Sequence, residues 1–139
     1  TATGTIKLKT ETIHLINEGK IVKGDPFYTA KIAGILAAKE TSALIPLCHT
    51  LPLTSVEIEI KVSGESKVQV TSTAKTKAQT GVEMEALVAT SASLLTIWDM
   101  VKQYEKNTKG QYPSTVIENI RVVRKIKEDI PSERKHKKT

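Results

Sequence analysis

A chain of 139 residues fits one domain, long enough to bury roughly two-thirds of its unfolded surface. Hydrophobic residues at 39% and charged ones at 26% exclude a disordered chain, and the single cysteine, Cys48, excludes a disulfide framework or a cysteine-rich zinc site. The net charge of +6 is concentrated at the end: positions 121–139 hold eight Lys/Arg against three Asp/Glu, positions 1–120 thirteen against twelve.

That balance excludes a basic nucleic-acid platform in the body. The run at 131–139 reads as a solvated, frayed tail on a domain spanning 1–130, with a phosphate- or RNA-binding arm as its rival use. No unbroken apolar run approaches the ~18 residues of a bilayer span, and positions 1–5 lack signal-peptide character. The expectation is a cytoplasmic protein with no membrane and no nucleic-acid partner.

Along the chain, 10–19 predicts a short helix, with Thr10 able to cap it and Gly19 suited to the left-handed position after its end. A stronger helix is expected from Pro26 to about Ser42, with Asp25 as its N-cap and Ala30, Ala33, Ile35, Ala37 and Ala38 favouring it. The apolar segment 44–53 is bracketed by Pro46 and Pro52, which predicts an extended, buried connector. Strict alternation over 55–62 and again from 67 to 71, with a turn at 63–66, predicts an antiparallel hairpin with one wet face. A long helix follows from 82 to about 106. Its stretch 89–98 carries no charge on any side, which predicts cover by its own sheet and by a second subunit. A strand over 116–123 precedes the tail. Two or three strands and a hairpin, with helices on one face, give an α+β sandwich.

Four groups of residues invite a chemical reading. Asp99 and Lys102, spaced i, i+3, share one helix face. Such a pair is most often a surface ion pair worth under ~1 kcal/mol. Here it follows directly on the uncharged stretch, where little exposure is expected, and a lysine at the mouth of an apolar cavity has its pKa lowered by desolvation. Glu83 and Glu85 lie in the first helical turn, where carboxylates ordinarily complement the dipole and can also accept hydrogen bonds from the amino groups of a purine or pterin ring. Cys48 and His49 lie in the proline-bracketed connector. They do not amount to a metal site, and adjacent residues of an extended segment point opposite ways, so a buried structural histidine competes with one that binds phosphate or a ring carbonyl. Lys23, ahead of Gly24 and Asp25, adds a mobile cation to a helix start; alone this is a capped turn.

Helix length adds a constraint. Glu85 and Asp99 are fourteen residues apart, about 21 Å at ~1.5 Å per residue, so one chain cannot close both on one small ligand. Two such helices paired antiparallel about a two-fold axis would bring Glu85 of one chain toward Lys102 of the other.

Together these segments resemble the molybdenum-cofactor biosynthesis protein C family. The likeness rests on Lys23-Gly24-Asp25, Ala33-Gly34-Ile35, Ala37-Ala38-Lys39, the block from Leu44 to His49 ending Leu47-Cys48-His49, Gly81-Val82-Glu83-Met84-Glu85-Ala86, and Leu94 to Lys102. The resemblance implies an α+β, ferredoxin-like subunit that forms a homohexamer, a trimer of dimers with active sites between subunits. It implies a cyclic pyranopterin monophosphate synthase with no cofactor and no metal-ligating residues assigned. Its small-molecule substrate is the cyclic dihydro-GTP intermediate made by the radical-SAM GTP cyclase of the same pathway, and diphosphate is released. On this resemblance Asp99, Lys102 and Lys23 are catalytic; Leu47, Cys48, His49, Glu83, Met84 and Glu85 bind substrate.

Three departures from the family pattern are visible. Its N-terminal Val-Asp pair and nearby Arg are not matched, Gln79 stands where a lysine commonly precedes the Thr-Gly-Val-Glu block, and Arg124 to Asp129 replaces a glycine-rich Lys-Ser-Gly-Gly-Lys-Ser-Gly loop. Lys125 takes the place of that loop's first lysine and joins the expected substrate-binding set. The alternatives are a non-catalytic RNA- or anion-binding module that uses the basic tail, and a degenerate scaffold of the same fold.

Overall fold

The computed structural model describes residues 1–128, so the tail expected at 131–139 lies outside the described residues. Its sheet begins with a strand that the sequence reading did not assign. Ala2, Gly4 and Ile6 alternate with Thr3, Thr5 and Lys7 and form β1 (Ala2–Lys7), whose Ala2 and Ile6 are fully buried. Then come α1 (Thr10–Asn17), α2 (Pro26–Lys39), α3 (Thr41–Leu44), β2 (Leu53–Ser63), β3 (Lys67–Thr76), α4 (Glu83–Glu105) and β4 (Val116–Val122). The four strands run in the order β2-β3-β1-β4, antiparallel at every pairing. This is the ferredoxin-like arrangement, with helices over one face.

Local chemistry sets the boundaries. Lys9, not Thr10, is the N-cap of α1, and Gly19 (φ 66°) follows its end, where the Gly19 and Lys20 amides return to the carbonyls of Ile16 and Leu15. Asp25 caps α2 as expected, its Oδ1 accepting from the Phe27 and Tyr28 amides at 2.9 and 3.3 Å. In β4 a bulge sets two residues opposite Gly4, and Asn119 takes the left-handed conformation there (φ 59°).

The core fills the space between sheet and helices with Ile6, Leu8, Ile13, Val68, Val70, Leu94, Ile97 and Val101. Helices α2 and α4 lie close. A Cβ on Gly34 would come within 2.2 Å of Ile58 and 2.3 Å of the Ser93 hydroxyl, and that hydroxyl donates to the Ala30 carbonyl at 2.8 Å. Over 18 residues α4 reaches a mean hydropathy of 1.3, enough by length and composition to cross a membrane, a feature the search for unbroken apolar runs does not register. Half of that stretch is buried inside the fold, as in a core helix.

A further expectation fails. The proline-bracketed connector is not buried: Leu47 is 95% exposed, Pro46, His49 and Thr50 are exposed, and Ile45 and Cys48 are only half-covered. Nor is it extended throughout: Leu44 closes α3, and a turn follows in which the Cys48 amide returns to the Ile45 carbonyl at 3.1 Å, so apolar composition alone does not draw the segment inward.

Candidate active site

The last turns of α4 assemble the first group. Lys102 Nζ donates to Asp99 Oδ1 at 2.8 Å, an i, i+3 contact set by helix geometry. Lys23 arrives from the loop before α2, placing Nζ 3.6 Å from Asp99 Oδ2 and 3.2 Å from the Asp99 carbonyl oxygen. One carboxylate thus holds two lysines. Beside them lies an open hollow of about 400 Å³ lined by Leu95, Trp98, Asp99, Lys102 and Ile117. Trp98 stacks at a tilt on Tyr112, with ring centroids 5.2 Å apart.

The electrostatics run opposite to the expectation of a lysine lowered by desolvation. The hydrogen bond and charge of Asp99 hold Lys102 above the usual lysine range, while the hydrogen bond and charge of Lys102, then the charge of Lys23, hold the Asp99 carboxyl below its ordinary range. The cause is exposure. The Asp99 side chain is 61% accessible and that of Lys102 41%, so pairing outweighs desolvation, and the low exposure expected after the uncharged stretch is not found. Lys102 is therefore a protonated cation at neutral pH, equipped to give a proton or hold an anion.

The second group forms at the opposite end of α4. Glu85 is 3% exposed; its Oε1 accepts a long contact from Cys48 Sγ at 3.9 Å, and its Oε2 is buried with no hydrogen-bond partner among the described residues. A buried carboxylate oxygen left unpaired is costly, so it is a ready acceptor for a donor brought from outside the chain. Burial, then the charge of Glu85, pushes the Cys48 thiol up, which keeps it neutral. Glu83 pairs with Lys125, which returns across from the chain beyond β4, and the hydrogen bond from Lys125 holds the Glu83 carboxyl low. Met84 is 36% exposed, and Leu47 and His49 face solvent.

The ten residues singled out from sequence therefore fall into two sets. Lys23, Asp99 and Lys102 cluster at the C-terminal end of α4; at its N-terminal end Cys48 touches Glu85 and Lys125 pairs with Glu83, with Met84, Leu47 and His49 beside them on the chain. Along α4 the sets are separated by about 21 Å at ~1.5 Å per residue. Among the described residues no three His, Cys, Asp or Glu side chains converge to hold a metal ion.

Sequence reasoning passed over Tyr104 and Glu105. Glu105 is fully buried and accepts from the Lys9 amide at 3.2 Å, the Thr115 hydroxyl at 2.7 Å and the Thr12 hydroxyl. A signal was present: a carboxylate in the last turn of a helix opposes the dipole and needs another reason to be there. Here it faces the start of α1, where the sign reverses.

A ferredoxin-like α+β protein with an Asp-Lys-Lys cluster at one end of its long helix and an unsatisfied carboxylate at the other is the class that fold and site define. Residues 1–128 match the profile of the MoaC family, and the chain belongs to that family. It is 58% identical over 127 residues to a protein of Saccharolobus solfataricus, covering 91% of this chain and 85% of the relative. It is 59% identical over 128 residues to one of Pyrococcus furiosus (92% and 81%), and 52% identical over 133 residues to one of Methanococcoides burtonii (96% and 83%). Each of these is named "Probable cyclic pyranopterin monophosphate synthase".

Proposed function

We propose that the protein is a cyclic pyranopterin monophosphate synthase, converting the cyclic dihydro-GTP intermediate to cyclic pyranopterin monophosphate and diphosphate. The observation that carries this reading is Asp99 holding both Lys102 and Lys23 beside an open hollow, in a chain more than half identical to proteins of that name. The unit over 1–130 is the catalytic domain.

The reaction opens a purine-derived five-membered ring, closes a pyran ring, and has a sugar hydroxyl attack the α-phosphate as diphosphate leaves. Proton transfers at nitrogen and oxygen need positioned acids and bases, and the departing diphosphate needs cations. Lys102, oriented and kept protonated by Asp99, gives a proton during the ring rearrangement. Lys23 and His49 steady the phosphates. Glu85, with one oxygen unpaired, accepts from the ring's amino group, flanked by Leu47, Cys48 and Met84; Glu83 and Lys125 close that end.

No single chain brings the two sets together, so the site is shared between subunits. The outward side of α4 supports this: Met84, Val88, Ser91, Ala92 and Leu95 are uncharged and at least partly accessible, with Leu95 61% exposed. Antiparallel packing of this side on a second copy would set Glu85 of one subunit near Lys102 of the other. The assembly is a dimer within a trimer of dimers, supplied by the radical-SAM cyclase of the pathway in the cytoplasm, where an unpaired Cys48 is at home.

Diphosphate release from the cyclic dihydro-GTP intermediate by the purified protein, with Lys102→Ala in parallel, tests the reading. Release by the parent and a loss of at least ~100-fold in the variant is the expected result; a parent that binds the intermediate but releases nothing favours the scaffold reading.

A further inference from the structure

Lys23 lies in the segment 20–25, which forms no regular element, yet its amine meets Asp99 from 76 positions away in sequence. Something must hold that segment against the end of α4. Val22 is 78% exposed, so its side chain is a weak anchor. Ile21 is buried in the core, and on the other side the Val22 amide donates to Tyr104 Oη at 2.9 Å. After Lys23 the chain turns into α2 through Gly24, whose amide returns to the Ile21 carbonyl at 3.0 Å and whose φ of 113° only glycine adopts without strain.

The phenol stands on rigid ground. Tyr104 packs against the main core, and its carbonyl accepts from Lys9 Nζ at 3.3 Å. Its neighbour Glu105 is pinned by three hydrogen-bond donors, the Lys9 amide and the Thr12 and Thr115 hydroxyls. Two turns of one helix thus present Asp99, Lys102 and, through a backbone amide, the anchor of the loop that brings the second lysine.

We propose that Tyr104 is a positioning residue for Lys23: its hydroxyl fixes the Val22 amide and so sets the Lys23 amine on Asp99. This rests on the reading that Lys23 serves the synthase reaction. Tyr104→Phe keeps the ring and its packing and removes the hydroxyl that accepts from the Val22 amide.

The test has two arms on the full chain. In the first, lysines are acetylated by an amine-reactive ester and followed by mass spectrometry. Lys23 should react about threefold faster or more in Y104F, while the exposed Lys31 reacts as in the parent. In the second, diphosphate release should fall about fivefold in kcat with KM nearly unchanged and the melting temperature within about 2 °C of the parent. Unchanged Lys23 labelling overturns the proposal whatever the activity does, and so does faster labelling with turnover equal to an active parent's. A parent that releases no diphosphate counts against the proposed function alone, and the labelling arm still decides whether Tyr104 positions Lys23.

Discussion

Asp99 is the residue on which the site turns, because it sets the charge state of its neighbours as well as their places. Its carboxyl is depressed, so the pairing is complete above the ordinary carboxylate range and is lost as pH falls through the lowered value. Lys102 is raised, so its share persists below the ordinary lysine range and is lost as pH rises through the higher value. Turnover that depends on this pair should therefore be flat from about pH 5 to 9. Asp99→Asn removes the largest cause of the Lys102 shift; kcat should fall at least ~100-fold and the alkaline limb of the residual rate should move to lower pH. An alkaline limb that stays in place would mean that the titrating group is not Lys102. At the other end, the raised Cys48 thiol should react sluggishly with iodoacetamide at pH 7, and a rate matching a free thiol would contradict its placement against Glu85. The Asp99–Lys102 contact was legible in the sequence because i, i+3 spacing is geometry. The sign of the Lys102 shift was not, since it depends on exposure, which a run of uncharged neighbours does not report. Lys23 could be singled out by type, but its distance from Asp99 depends on Tyr104 and on a loop with no periodicity to read.

Between elements, the site depends on how closely α2 lies on α4. Gly34 leaves no room for a methyl group beside Ile58 and Ser93, so Gly34→Ala should cost about 1–3 kcal/mol and lower the melting temperature by several degrees. Calorimetry showing no loss would mean that the helices separate freely there. Asp25→Ala removes the acceptor for two amides and should cost about 1 kcal/mol, the ordinary worth of an N-cap. Both positions could be read from sequence, Asp25 from its place before Pro26 and Gly34 only as part of a familiar block. Strand β1 is hard to read from sequence although its alternation is visible, because Ala2 and Gly4 on its buried face have weak strand propensity and little apolar bulk, and the segment precedes any turn signal. The connector around Leu47 was misjudged for a related reason: apolar composition states what a segment would bury, not whether the fold supplies a surface to bury it against.

At the scale of the molecule, one feature outweighs the others: ten candidate residues fall into two sets at opposite ends of a single helix. In the proposed reaction neither set suffices alone, since the lysines lack a partner for the ring and Glu85 Oε2 has no donor among the described residues. In the proposed dimer, two subunits related by a two-fold axis would complete both sites at once. The fold class was legible from element order, and the distance between the two sets from helix length; the proposed shared pocket would involve surfaces that one chain does not contain. The most direct measurement is complementation. Lys102→Ala and Glu85→Gln, each inactive alone, are mixed under conditions that exchange subunits, and diphosphate release is assayed. A shared site predicts recovery of about a quarter of the parent rate, because half of the randomly formed dimers are hybrids and each hybrid keeps one of its two sites intact. No recovery from a mixture shown by mass spectrometry to contain hybrid dimers would contradict it and place all the chemistry within one chain.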